Sequence, residues 1–268
     1  MSASINTYLK HLSYSFYLKR NSEEIKKIDA SVKNILVNLN KELGVLTDSI
    51  FVFGSYSRDT ILPRSIDEKS DIDIMVVFNH TDYERTPETY RLWLKNFGDK
   101  YYKNRYGSEV IKSFPTVTIR LGNIHYDLVP AKEERYYSSE ILYIPSNCGW
   151  QITDPNDVKV KLTEVNTTYN QIVRPIVRLM KAWNCSNGYP FDSYELELFI
   201  IDLNFFGDNV QEGFFYAVNQ IASKSNDSLT KRNKVKSLQY NISKVKEYLE
   251  KYDVISAKYW LHRVLPKP

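Results

Sequence analysis

Residues 70–78 read SDIDIMVVF, two acidic residues two apart followed by an unbroken apolar run. In an extended strand, side chains two apart face the same side, so Asp71 and Asp73 project together while Ile72 and Ile74 face the core. Any fold built on this segment must therefore bury a strand and still present two carboxylates from one of its faces. Other strands are legible around it. Ile50 to Phe53 reads as a short buried strand, and Val117 to Leu121 with Ile124 to Pro130 as a pair joined at Gly122-Asn123. Asp127 lies in the second of that pair, so a third carboxylate sits amid an alternating strand that can lie beside the first.

The helical signals divide the chain. Ser22 to Leu43 places Ile25, Ile28, Val32, Ile35, Leu36, Leu39 and Leu43 at helical spacing, with Asn21 and Glu24 marking the start and Gly44 the end. Thr86 to Tyr106 also reads as helical. Almost everything after Asp154 does so too, with Asp154 as cap and Pro155 at the first helical position. Residues 143–154 read as a turn-rich crossing, with no low-complexity tether and no internal repeat. The pattern predicts an α+β chain: a lobe with a small mixed sheet and the long helix over residues 1–150, a helical lobe over 151–268, and an active site in the cleft between them.

Composition narrows the function. A chain of 268 residues with 43% apolar and 14% aromatic content buries one large core or two smaller ones. A net charge of +4, spread along the chain, suits anionic substrates without demanding a long duplex. Cys148 and Cys185 are far apart and lack partners at metal-ligand spacing, which argues against a zinc site or a disulfide framework and for a reducing cytosol. No signal-peptide pattern and no run of about 18 apolar residues occurs, so export and direct membrane insertion are not expected.

The chemistry concentrates in residues 51–78 and again around Asp127. Asp71, Asp73 and Asp127 have the chemistry to hold two divalent cations about 3.5–4 Å apart, which would neutralise a triphosphate, bind the leaving pyrophosphate and activate an attacking hydroxyl. Gly54-Ser55 follows a strand, where glycine lets the backbone approach a phosphate and the hydroxyl and amides can donate to it. Taken singly, each feature has a plainer reading. A Gly-Ser pair is usually a turn, an Asp pair at a strand start is commonly solvated, and a lone strand Asp is an edge charge. Their order, strand, Gly-Ser turn, Asp-x-Asp strand and later Asp strand, meets the geometric demands of two-metal nucleotidyl transfer.

The segments GSYSRDTILPRS, SDIDIMVVF and HYDLVPA resemble, in order, the phosphate-binding turn, metal-binding Asp pair and third Asp of Pol-beta-type nucleotidyltransferases. More narrowly, the chain resembles the bacterial CD-NTase group with its SMODS domain, which supplies signals in anti-phage defence. The resemblance covers nearly the whole chain. It implies two Mg²⁺ or Mn²⁺ ions at Asp71, Asp73 and Asp127, nucleoside triphosphates (NTP or dNTP) as substrates and an oligonucleotide product. VRLMKAWN and GYPFDSYELE resemble the donor-nucleotide side of the cleft, so that Lys181 and Ser193 would contact the triphosphate and Tyr194 would stack on a base, which is worth about 1–3 kcal/mol. From the residues alone, Lys181 is a helix-face charge, Ser193 assists Asp192 and Glu195 in a capping box, and Tyr194 is core.

Most CD-NTases act in CBASS defence and make cyclic di- or trinucleotides. Some SMODS-type enzymes, encoded beside SLATT membrane proteins in Hailong-type defence, make DNA oligomers without a template, and this short chain looks somewhat more like them. A co-encoded membrane effector is then the expected partner. In that branch Tyr259, within KYWLHRVLPKP, is the candidate priming hydroxyl; the plainer reading packs Tyr259, Trp260 and Leu261 into the last helix. A toxin-type transferase acting on protein or RNA and a catalytically silent nucleotide sensor are the further alternatives. Lys159, Lys161 and Arg178 either add positive charge to the cleft or form a solvated face. His11, His80, His125 and His262 are scattered and carry no assigned catalysis, although His125 shares a strand face with Asp127. No Ser-His-Asp, Cys-His or P-loop pattern is present.

Overall fold

The computed structural model describes residues 3–18, 23–122, 124–136 and 139–267. In chain order the elements are α1 (Asn6–Ser15), α2 (Glu23–Leu43), β1 (Thr47–Val52), α3 (Gly54–Ser57), β2 (Asp71–Phe78), α4 (Pro87–Gly98), α5 (Asn104–Tyr106), β3 (Glu109–Ser113), β4 (Thr116–Arg120), β5 (His125–Tyr136), β6 (Ser139–Ser146) and β7 (Gly149–Thr153). Helices follow: α6 (Pro155–Thr168), α7 (Val173–Ser186), α8 (Ser193–Ile201), α9 (Val210–Gln220), α10 (Leu229–Glu250) and α11 (Val254–Leu261). The fold is mixed α+β, with one small mixed sheet and a helical second half. Two compact units form. One unites Met1–Arg20, Thr60–Glu68 and Val160–Pro268; the other unites Asn21–Asp59 and Lys69–Lys159. The helical unit thus also takes the first residues of the chain and the excursion Thr60–Glu68.

In the sheet unit the strands run β1-β2-β5-β4-β3, and β6 and β7 extend from β5. β2 and β5 are parallel, with Asp71 opposite His125, Asp73 opposite Asp127 and Phe78 opposite Lys132. Ile72, Ile74, Met75, Val76, Val77 and Phe78 are all fully buried, as a parallel strand covered on both faces requires. The strand period then divides each face. Asp71 and Asp73 occupy the start of the face that continues into Met75 and Val77, and these pack with Ala131 against Phe51, Phe53, Leu142 and Ile144. One face thus turns from acidic to apolar along its length.

α2 buries Ile25, Ile28, Val32, Ile35, Leu39 and Leu43 as its spacing predicts, while Leu36 lies half-buried at the edge of the stripe. Its expected Asn21 cap lies outside the described residues. The helical reading of 86–106 resolves into α4, capped by Thr86, a π-helical stretch over Asp99–Lys103, and α5. Phe78 stacks on Tyr90 of α4 at 4.4 Å between ring centres, which fastens that helix to β2. Two strand readings require correction. Residues 143–154 are not a crossing: β6 and β7 form an antiparallel hairpin, with Leu142 opposite Thr153 and Ser146 opposite Gly149. β3, absent from the sequence reading, pairs antiparallel with β4.

In the helical unit α7 is buried nearly all round, from Val173 through Asn184 with only short interruptions, and Trp183 is among its enclosed side chains. Arg178 is 7% exposed. Its Nε donates to the Ser13 carbonyl at 3.0 Å and its guanidinium lies 4.8 Å from the Tyr17 ring centre. Both sequence readings of Arg178 are therefore corrected: it is neither a solvated charge nor free for a cleft, because it fastens the end of α1 to α7. Lys161 pairs with Asp202 at 2.6 Å. Glu197 is fully buried and accepts from Thr60 Oγ1 at 3.1 and 3.0 Å, while the Tyr189 hydroxyl donates to Asp67 at 2.5 Å, so the excursion Thr60–Glu68 is held by polar contacts within this unit.

The sheet depends on β2 remaining packed on both sides. We expect Ile74→Ala, at a fully buried site, to destabilise the sheet unit by about 2–5 kcal/mol. Lowered thermal and urea midpoints relative to wild type check this.

Candidate active site

The acidic end of the β2–β5 pair brings the three predicted carboxylates onto one face. Residues opposite each other in parallel strands share a face, and neighbouring strands lie about 4.8 Å apart. Asp73 and Asp127 are therefore neighbours, with Asp71 and His125 as the next pair along. Asp71, Asp73, His125 and Asp127 are all half-buried. The three Asp residues offer carboxylate oxygen, the donor type that hard divalent cations prefer. Among the described residues no three His, Cys, Asp or Glu side chains stand close enough together to hold a metal ion as placed. The β2–β5 register sets three carboxylates on one face, and their side chains as placed do not converge on a common point.

Gly54 follows β1 with φ +68°, a conformation that favours glycine. A Cβ at this position would lie 1.8 Å from Asp73 Oδ2 and 2.7 Å from its Cγ. The Asp73 carboxylate therefore rests directly against the Gly54 backbone, which only a residue without a side chain permits. The Phe53 amide donates to the Asp73 carbonyl at 3.0 Å, continuing the β1–β2 ladder up to the turn. Ser55 is half-buried in the turn, and the Tyr56 hydroxyl donates to Asp29 of α2. The turn is thus anchored on both sides of Ser55.

Burial pushes the Asp127 carboxyl above the usual carboxylate range, against the opposing effects of a Thr118 hydrogen bond and the positive charges of His125 and Arg120. Thr118 Oγ1 donates to Asp127 Oδ1 at 2.6 Å, from the position directly opposite on β4. Sequence reasoning missed Thr118, although the signal was there: a hairpin turning at residues 122–123 places residues 118 and 127 opposite each other. A polar cavity of about 530 Å³ at the other end of β2, lined by Asp48, His80, Glu134 and Arg135 among others, contains none of the predicted residues.

The remaining predicted residues lie in the helical unit. Lys181 on α7 is 7% exposed, so it is no helix-face charge, and no ion pair or hydrogen bond to it occurs among the described residues. Ser193 opens α8, where Asp192 is the cap and accepts from the Tyr194 and Glu195 amides at 2.8 and 3.0 Å. Tyr194 is 47% exposed and so is not core. Tyr259 on α11 is 63% exposed, its ring edge-on to Trp260, while Leu261 supplies the buried contact.

Asp127→Asn keeps an acceptor for Thr118 and removes the charge. Because the folded carboxyl titrates above its unfolded value, wild-type stability falls as pH rises through that window. We therefore expect Asp127→Asn to melt higher than wild type near neutral pH in chelator, with the difference closing as the pH is lowered through the raised pKa. Thermal melts from about pH 4 to 8 check the direction.

The model of the Second Messenger Oligonucleotide or Dinucleotide Synthetase domain, SMODS, matches residues 3–166. The chain is similar to a probable cyclic nucleotide synthase of Bacillus cereus (strain VD146), 27% identical over 231 residues that cover 72% of this chain and 69% of the relative. It is also similar to a cyclic AMP-AMP-AMP synthase of Acinetobacter sp. (strain ATCC 27244 / 9458), 25% identical over 184 residues, or 64% of this chain and half of that protein. Among solved structures it shares the fold of the Bradyrhizobium diazoefficiens CD-NTase CdnG in complex with GTP, with a TM-score of 0.68, 11% identity and coverage of 97% and 98% of the two chains. No helix among the described residues is long and apolar enough to cross a membrane. The chain belongs to the SMODS family and is a nucleotidyltransferase of the CD-NTase group.

Proposed function

We propose that this chain joins nucleoside triphosphates into a small cyclic oligonucleotide that signals in anti-phage defence. The observation that carries the reading is the β2–β5 register, which sets Asp71, Asp73 and Asp127 on one face beside Gly54. The names of the two relatives favour a cyclic product. In this reading Asp71, Asp73 and Asp127 hold two Mg²⁺ or Mn²⁺ ions. When bound, those ions supply charge neutralisation of the triphosphate and of the departing pyrophosphate. A ribose hydroxyl attacks the α-phosphorus, the bond from that phosphorus to the bridging oxygen breaks, and pyrophosphate leaves. The hydroxyl loses its proton as its bond to phosphorus forms, a loss that the charge of the ions would favour.

Gly54 and Ser55 receive the phosphates through backbone amides and a hydroxyl. Lys181 supplies a cation: an ammonium largely removed from water and lacking a protein counter-ion among the described residues gains most from an anionic ligand. Ser193 donates to the triphosphate. Tyr194, with an exposed ring, stacks on a base. A second reading rests on Tyr259, whose exposed position fits a priming hydroxyl for linear DNA oligomers made from deoxynucleotides, the Hailong-type activity, with a co-encoded membrane protein as effector.

The deciding experiment incubates the purified chain with each labelled NTP and dNTP and Mg²⁺ or Mn²⁺, followed by mass spectrometry of small products and protein. A phosphatase-resistant ring, lost in Asp71→Ala/Asp73→Ala, supports the cyclic reading. A deoxynucleotide ladder attached to protein and lost in Tyr259→Phe replaces it with the second. Product unaffected by the double substitution would sink both. Two further outcomes are expected. Lys181→Met raises KM for the triphosphate about 10- to 100-fold, as loss of a charged hydrogen bond of about 1.5–3 kcal/mol requires. Gly54→Ala lowers kcat/KM by at least about 100-fold, since the added Cβ must displace the Asp73 carboxylate by an ångström or more.

A further inference from the structure

We infer that Thr118 is the positioning residue for Asp127, presetting that carboxylate to take up a divalent cation; this rests on the metal-holding role proposed above for Asp127. The chain of contacts is short. Asp127 lies between two neighbours at the same register level, Asp73 on the β2 side and Thr118 on the β4 side. On the β2 side the neighbour is another carboxylate, which offers Asp127 no hydrogen-bond donor when both are ionised. On the β4 side the Thr118 hydroxyl donates to Oδ1 at 2.6 Å. That bond is short, as expected of a hydroxyl donating to an ionised oxygen. Among the described residues Thr118 is the one group that hydrogen-bonds the Asp127 carboxylate. It engages Oδ1 and leaves Oδ2 to a ligand.

Threonine suits the task for two reasons. A β-branched residue holds one of few rotamers in a strand, so its hydroxyl is aimed before any ligand arrives. Its hydroxyl is also neutral, so it orients the carboxylate without neutralising the charge that a cation needs. A Lys or Arg in its place would compete with the metal. Groups that hold a ligating side chain from behind commonly govern metal affinity by about 10–100-fold.

The test uses Thr118→Val, which keeps shape and strand preference but deletes the donor, with Thr118→Ala as a second deletion and Thr118→Ser as the conservative rescue. Asp127→Asn reports on the reading beneath. Mn²⁺ alone is titrated into each protein and free Mn²⁺ is followed by electron paramagnetic resonance, with thermal melts in chelator as the folding control. We expect Thr118→Val and Thr118→Ala to weaken Mn²⁺ binding about 10–100-fold and Thr118→Ser to restore it to near wild type. In turnover the same pattern should appear as a raised Mg²⁺ requirement, with KM for the triphosphate little changed. Wild-type Mn²⁺ affinity in a folded Thr118→Val or Thr118→Ala, beside lost affinity in Asp127→Asn, overturns the role of Thr118 alone. Wild-type affinity in Asp127→Asn removes the metal-holding reading with it.

Discussion

The parallel pairing of β2 with β5 is the constraint on which the sheet unit and its site depend. Slipping this register by one residue would send Asp127 to the opposite face from Asp73 and bring Leu128 or Tyr126 to its level, because the side-chain period of a strand is two. The register is held by the apolar ends of the same strands. Met75 and Val77 meet Ala131 beneath Phe51, Phe53, Leu142 and Ile144, and those residues must all lie on the face that carries the carboxylates. The hydrophobic half of the face therefore positions the acidic half. Dispersed apolar packing far from any reacting atom sets which carboxylates are neighbours.

Much of this is legible in the sequence. The alternation Asp71-Ile72-Asp73-Ile74 appears in the structure as half-buried and fully buried residues in strict turn. The stripe of α2, the Thr86–Tyr106 helix and the helical second half followed from periodicity and caps. What stayed hidden was non-local. Residues 143–154 contain Pro145, Asn147 and Gly149 among their apolar residues, which reads locally as turns, and only pairing of β6 with the second half of β5 makes them strands. β3 is short and alternates weakly, and its partner β4 decides its state. The division into compact units was equally opaque, since nothing in the composition of Thr60–Glu68 announces that it packs with helices far along the chain.

The site divides along the same line. Three carboxylates and the glycine turn were visible because strand period and spacing govern them. The close approach of Asp73 to Gly54 was not, because it depends on where the β1–β2 ladder ends. Arg178 shows the reverse error. A cation three residues from Lys181 on one helix looks like part of the same electrostatic patch, yet its contacts are with the Ser13 carbonyl and the Tyr17 ring. Helical neighbours three apart share a side only approximately, and α7 is enclosed on nearly every side, so each position meets a different environment.

Buried charge separates what is structural from what is available for chemistry. At the far end of β5, Lys132 is almost fully buried, but Glu84 at 3.0 Å and Glu134 at 2.6 Å compensate it, and the rings of Tyr143 and Trp150 flank it. That group is satisfied by the chain itself, and its role ends with fastening the β5–β6–β7 region. Asp127 is half-buried and Lys181 almost fully buried, but one has a neutral hydroxyl as its hydrogen-bond partner and the other has no counter-ion among the described residues. Burying a charge that lacks an ion-pair partner costs stability, so each of these groups, unlike Lys132, gains from a ligand of opposite sign, a cation at Asp127 and an anion at Lys181.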